Sequence, residues 1–171
     1  MSMEAHQLVN QTSRQWEYYT PPNIVEAARR TMGGIDLDPA SSEAANRSVG
    51  ASRIFTAEQD GLNQKWSGRV WMNHPFGRGL NSRWVQKMVS SHAPHEVTEA
   101  CCITYACTSE RWFFPLLHWP QCYLQPRTNY LLPDGTVKRG VTKGSVVTYF
   151  GPNVGRFADE FRALGVVKVM I

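Results

Sequence analysis

Asn73-His74-Pro75-Phe76-Gly77 sets a side-chain amide, an imidazole and an aromatic ring on consecutive residues. The side-chain oxygen of Asn73 and the main-chain carbonyl of His74 are two acceptors, which suits a planar amino group with two hydrogens to give. Such an amine is a poor nucleophile, because its lone pair is delocalised into the ring that carries it. Acceptors already in place favour a pyramidal nitrogen and stabilise positive charge where it develops. Holding that nitrogen in line with an electrophile is worth on the order of 7–11 kcal/mol, against about 1 kcal/mol net for an ordinary hydrogen bond. Phe76 adds a face on which a flat base stacks. Taken alone, an Asn-x-Pro-Phe turn is also an ordinary loop, so its neighbours in the chain have to decide between the two.

Upstream, Ile35-Asp36-Leu37-Asp38 runs into Pro39-Ala40-Ser41-Ser42. Asp36 or Asp38 can accept hydrogen bonds from the ammonium or hydroxyl groups of a ligand, or cap the helix that follows. Tyr19-Thr20-Pro21-Pro22 precedes a helix whose N-terminus favours an anion. Asp60-Gly61-Leu62 is an acidic turn ahead of the Asn73 segment, and a solvated turn reads the same way.

The pattern predicts elements that hold these residues. A helix is expected over Asn23–Thr31, with Pro22 in its first turn and Met32-Gly33-Gly34 ending it. Strands are expected at Ile35–Asp38, Arg53–Thr56 and Arg69–Asn73, with a helix beginning over Ser42–Asn46. Asn81–Ser91 carries Trp84, Val85 and Met88 on one helical face. Val97–Thr108 is apolar and β-prone, Arg111–His118 reads as helical and Cys122–Gln125 as a strand. Strand Ser145–Phe150, helix Gly155–Leu164 stopped by Gly165, and strand Val166–Met170 complete the chain. Strands alternating with helices predict an α/β fold with a mostly parallel sheet covered on both faces. The turn from a strand into a helix is a good ligand site in such a fold.

The 171 residues fit one domain, with 1–15 as a flexible polar lead and 16–171 as the domain. A chain 42% hydrophobic and 19% charged packs as a globule rather than an extended polymer. No stretch approaches the ~18 apolar residues that cross a bilayer and the N-terminus has no signal-peptide run, which points to the cytoplasm and away from membranes. Cys101, Cys102, Cys107 and Cys122 lack CxxC or His-pair spacing, so they read as buried free thiols and no metal is expected. The net charge of +4 is compatible with a polyanionic partner. The loop 126–144 sets Arg127, Lys138, Arg139 and Lys143 against Asp134, with Tyr130 available to wedge or stack, and is the candidate surface for DNA contact. Arg14, Arg78 and Arg83 would extend it.

Four segments carry a family resemblance. Asn73-His74-Pro75-Phe76 resembles the (Asn/Asp)-Pro-Pro-(Tyr/Phe) motif of amino-methyltransferases, and Asp38-Pro39-Ala40-Ser41 resembles the Asp/Glu-Pro-Ala-x segment of their donor-binding loop, without its usual glycines. Tyr19-Thr20-Pro21-Pro22 looks like the Thr-Pro element that contacts the donor's carboxylate, and Asp60-Gly61-Leu62 like the acidic turn that contacts its adenine. Together with Trp16, Asn46, Trp71, Trp84-Val85 and Lys87-Met88, they resemble the phage-type DNA N6-adenine methyltransferase family, often called phage Dam proteins, over roughly Gln15 to Met88.

That resemblance implies a single-domain, Rossmann-like class I methyltransferase fold with S-adenosyl-L-methionine as donor and double-stranded DNA as acceptor. Tyr19, Thr20, Pro21, Asp36, Asp38, Pro39, Ala40 and Asp60 would bind the donor. Asn73, His74, Pro75 and Phe76 would be catalytic, acting on a base flipped out of the duplex. In a phage-encoded protein it further implies the host cell cytoplasm and protection of DNA from restriction. One residue departs from the family: His74 stands where members carry Pro, which softens the turn and adds a donor, while Pro75 still restricts the residue before it. The imidazole can crowd the pocket, contact phosphate, change which amine or donor is accepted, or serve as a base. Cytosine N4, an RNA base or a protein glutamine are alternative acceptors, and a non-catalytic DNA-binding protein retaining the fold is the reading from another class.

Overall fold

Pro22 opens the first helix, α1 (Pro22–Met32), where a missing N–H costs nothing, and Gly33 closes it in the left-handed conformation at φ 73°. The computed structural model describes residues 18–77 and 79–170. The polar lead, Arg14, Trp16 and Arg78 lie outside the described residues. Strand β1 (Leu37–Asp38) follows, and Ser42 then caps helix α2 (Glu43–Val49) by accepting the Ala45 N–H at 3.1 Å. Next come β2 (Arg53–Ile54), a 3-10 turn over Gly61–Asn63, β3 (Gly68–Met72), α3 (Leu80–His92) and β4 (Val97–Tyr105). After them lie β5 (Gln121–Leu124), β6 (Ser145–Phe150), α4 (Val154–Phe161) and β7 (Gly165–Lys168).

Among the described residues the strands form one seven-stranded sheet in the order β2-β1-β3-β4-β6-β5-β7. Alternation along each strand divides the core in two. Trp71, Cys101, Ile103, Val147 and Tyr149 pack with α1 and α4 on one face. Val70, Met72, Ala100, Cys102, Val146 and Phe150 pack with Trp84, Val85 and Met88 of α3 on the other. The helical face anticipated for α3 is therefore its buried face. Cys101, Cys102, Cys107 and Cys122 are free thiols, the first, second and fourth of them buried.

The sheet is mixed rather than mostly parallel. β1 pairs in parallel with β2 and β3, and β3 with β4. β6 is antiparallel to both β4 and β5, and β7 is antiparallel to β5. Helical crossovers set the parallel half. Between β5 and β6 no helix intervenes, only the loop 126–144, so the chain doubles back and β6 enters the sheet reversed.

Two shorter expectations also change. Arg111–His118 holds only a 3-10 turn over Phe114–His118, with Pro115 near its start. Gly165 is not a helix stop: α4 ends at Phe161 and Gly165 begins β7, where a Cβ would stand 2.1 Å from the Tyr123 carbonyl oxygen. No helix of the described residues is long and apolar enough to cross a membrane.

Candidate functional site

The parallel strands deliver their carboxyl ends to one place, where ligands bind in open α/β sheets. Asp38 ends β1 there and Asn73 follows β3. A cavity of about 280 Å³ opens between them, lined by residues 18–20, 38–42, 60–62, 73–76 and Trp84 among others. Three segments far apart in sequence thus converge: the Asp38 loop, the Asp60 turn and the Asn73 turn.

The Asn73 side chain is oriented by the segment before α1. Its Nδ2 donates one hydrogen to the Tyr18 carbonyl at 2.6 Å, which orients the amide, with Oδ1 the atom of the side chain that can accept. Phe76 is half-buried, with its ring centroid 4.5 Å from Tyr105, 5.8 Å from Tyr130 and 5.4 Å from His74. It is a wall backed by other rings.

His74 is 1% exposed. Its Nε2–H donates to Asn81 Oδ1 at 2.8 Å, because an amide oxygen only accepts, and this tautomer makes Nδ1 a bare acceptor. Burial drives the imidazole down to about 4 from 6.5, so the ring is neutral near pH 7. It stacks at 6.2 Å on Trp84, which stacks at 5.9 Å on Trp66, and the Trp66 Nε1–H donates to the Gly61 carbonyl at 2.7 Å. This run of rings ties the Asn73 turn to the Asp60 turn.

Asp38 is 2% exposed and accepts the Ala40 N–H at 3.1 Å. Among the described residues no basic side chain pairs with it, and burial pushes its carboxyl up to about 7. Asp60 adopts φ 48°, accepts the Leu62 N–H at 3.2 Å and the Asn63 Nδ2 at 2.7 Å, and lines the cavity. The turn presses against the Asp38 loop so closely that a Cβ on Gly61 would sit 1.9 Å from the Pro39 carbonyl oxygen.

The cavity also gathers polar atoms that lack partners. Thr20 Oγ1, Ser48 Oγ and His74 Nδ1 are buried without a hydrogen bond among the described residues, and all three side chains line the cavity. Buried polar groups are ordinarily satisfied. Hydroxyls, an unneutralised carboxylate and aromatic walls fit a ligand that carries cationic, hydroxyl and flat heterocyclic parts.

Tyr19, Thr20, Asp38, Pro39, Ala40, Asp60, Asn73, His74, Pro75, Phe76 and Arg83 all line the cavity. Asp36 does not. Arg69 grips it through Nε and Nη2 at 2.8 and 2.7 Å and through its backbone N–H, which holds the carboxyl below its ordinary value at the opposite end of β1. Pro21 stands at the N-cap of α1 rather than in the wall. Tyr130, expected on the loop surface, is 1% exposed, and its hydroxyl pairs with Ser145 Oγ at 2.8 Å. Its apolar ring joins the cluster behind Phe76. Arg127, Arg139 and Lys143 are exposed and Lys138 half-buried.

The loop 126–144 is fastened to the site. Tyr19 and Leu131 exchange N–H···O bonds of 2.8 and 2.9 Å, and Lys143 Nζ lies 5.6 Å over the ring of Tyr105. Sequence reading did not single out Tyr18, Ser48 or Asn81. Their roles depend on a main-chain carbonyl, an inward-facing hydroxyl and a helix start, none of which leaves a mark in residue order.

With that geometry in place, residues 6–119 match the model of the family described as DNA N-6-adenine-methyltransferase (Dam). The matched stretch contains every cavity segment and ends before the loop 126–144. No curated protein matches the chain.

Proposed function

The chain belongs to the Dam family of DNA N-6-adenine-methyltransferases, and from that premise we propose that it transfers a methyl group from S-adenosyl-L-methionine to adenine N6 in double-stranded DNA. The observation that carries this reading is the orientation of Asn73, whose Nδ2 is tied to the Tyr18 carbonyl in the wall of the cavity. Oδ1 then accepts one amino hydrogen and the His74 carbonyl the other. The Asn73 amide is held before reaction, so its dipole stabilises charge as the nitrogen becomes tetrahedral without reorganising.

The proposed donor fits the remaining wall: Thr20, Asp38, Pro39, Ala40 and Asp60 would hold it, and it supplies an electrophilic methyl group when bound. Among the described residues Asp38 brings a carboxyl without a partner cation, and Thr20 and Ser48 bring hydroxyls without a hydrogen bond. Phe76 offers the face on which a target base rests once flipped from the duplex, because an amine inside a base pair cannot reach the cavity. Burial leaves His74 weakly basic, at about 4, and its Nε2–H is held by Asn81, so it serves as a polar wall and not as the base that takes the amino proton.

The wider reading is one Rossmann-like class I methyltransferase domain over residues 16–171, working in the cytoplasm, with Arg83, Arg127, Lys138, Arg139 and Lys143 along phosphates. The test is transfer of labelled methyl from S-adenosylmethionine to unmethylated duplex DNA, followed by digestion and nucleoside mass spectrometry. N6-methyladenine is expected. Label on cytosine N4, or in RNA or protein alone, would reassign the acceptor, and no transfer to any of them would overturn the reading.

A further inference from the structure

His74 occupies the second position of the Asn73-His74-Pro75-Phe76 turn, where a proline would present no side-chain polar atom. One edge of its ring is committed to Asn81 on α3. The other edge ends in Nδ1, buried and without a partner among the described residues. The ring lies in the cavity wall with Trp84 stacked on one side, 28° from parallel, and Phe76 edge-on at 79°. Flat aromatic neighbours favour a flat ligand. A buried acceptor with no protein partner is costly unless the ligand supplies a hydrogen.

We infer that His74 Nδ1 accepts a hydrogen bond from the exocyclic amino group of an adenine bound in the cavity, which makes His74 a specificity-determining residue. The inference rests on the proposed methyl transfer, which brings two adenines to this site. The target base gives its two amino hydrogens to Asn73 Oδ1 and the His74 carbonyl, so the donor's own amino group is the one that Nδ1 meets. Both present the same chemistry, an N–H at the edge of a planar heterocycle. A site built to accept that hydrogen rejects the analogue that lacks it.

Two substitutions divide the imidazole into its halves. His74→Asn keeps an acceptor near the place of Nδ1 and drops the reach to Asn81. His74→Gln keeps the reach to Asn81 and drops that acceptor. Two probe pairs then identify the source of the hydrogen: S-adenosylhomocysteine against its analogue with hydrogen in place of the purine amino group, and an adenine-rich duplex against the same duplex with purine replacing adenine.

For the S-adenosylhomocysteine pair, removing the amino group is expected to weaken binding to the parent roughly tenfold more than to His74→Gln, the weight of one buried hydrogen bond, and a response confined to the duplex pair would overturn the inference. His74→Asn is expected to retain most of the parent's discrimination. The opposite ranking, with Gln preserving discrimination and Asn losing it, would mean that the ring acts only through Asn81. Equal discrimination in all three proteins would likewise overturn the inference.

Nitrogen NMR of the parent with labelled histidine gives a readout that needs no variant to fold. The His74 Nδ1 resonance is expected to shift with S-adenosylhomocysteine and not with its deamino partner; the absence of that difference overturns the inference. If the parent transfers methyl to adenine but these signatures are absent, the assignment of Nδ1 fails alone. If it neither binds S-adenosylhomocysteine nor transfers methyl, the proposed function fails and the inference falls with it.

Discussion

Asp38 and His74 are buried titratable groups in one cavity, and they pull the pH dependence in opposite directions. Burial lifts the carboxyl from 3.8 to about 7 and lowers the imidazole from 6.5 to about 4. An acid whose pKa rises on folding keeps its proton longer in the native state, so its contribution to stability is lost as pH climbs from 3.8 to 7. A base whose pKa falls on folding leaves the unfolded chain to take up protons first, so stability is lost as pH drops from 6.5 to 4. The windows overlap and the parent profile is flattened. Urea unfolding across that range is expected to show Asp38→Asn without the decline toward neutral pH and His74→Phe without the decline toward acid. The ionised carboxylate is also the better acceptor for an ammonium or hydroxyl. Donor affinity by calorimetry is therefore expected to rise as pH passes 7 in the parent and to stay flat in Asp38→Asn. A parent affinity independent of pH would remove Asp38 from the donor site. Asn73→Ala removes a preorganised acceptor, so transfer is expected to fall about 100-fold or more while donor affinity changes by less than about twofold.

At the scale of elements, the close approach of the Asp60 turn to the Asp38 loop fixes the distance between two cavity walls. A Cβ at Gly61 meets the carbonyl oxygen of Pro39 at 1.9 Å and its carbon at 3.0 Å, and both are backbone atoms that cannot swing aside. Gly61→Ala is expected to cost about 1–3 kcal/mol of stability by overpacking and to weaken donor binding by parting the walls. Unfolding curves and calorimetry on the same protein measure both effects, and an undisturbed variant would show the contact to be slack. Such contacts are what the sequence could not disclose. The helices α1 and α3 were legible because proline, glycine and a 3.6-residue apolar period act locally. Asp36 and Asp38 were indistinguishable by type and spacing. Asp36 immediately precedes β1 and Asp38 ends it, and only the carboxyl end opens on the cavity, whereas the other end meets Arg69, 33 positions away. Tyr130 misled for a similar reason. A polar loop suggested exposure, yet the rings of Tyr18, Phe76 and Tyr105 gave its own ring a buried place. The helix-free loop 126–144 turns β6 back, but its insertion between β4 and β5 depends on long-range pairing that residue order does not record.

On the scale of the whole molecule, the proposed duplex substrate is a polyanion, which electrostatics would bring to the cavity. The chain carries 18 Lys and Arg against 14 Asp and Glu, and the excess is not spread evenly. Several acids are held locally: Asp36 by Arg69, Glu96 by Lys65, Glu160 by Arg30. In the loop 126–144 the acid Asp134 is turned onto Thr136, while Arg127, Arg139 and Lys143 stand exposed. The backbone pairing of Leu131 with Tyr19 keeps that charge beside the segment that orients Asn73. Phosphate contacts release counterions, so each contributes about 0.9 to the slope of log affinity against log salt. Arg127→Gln with Arg139→Gln is expected to reduce that slope by about 2 for duplex DNA. Donor affinity should be untouched, because neither side chain lines the cavity. Titrating duplex DNA at several salt concentrations reads the slope directly. A slope unchanged by the double substitution would place the phosphate track elsewhere, leaving Arg83 at the cavity rim as the nearest described basic side chain from which to seek it.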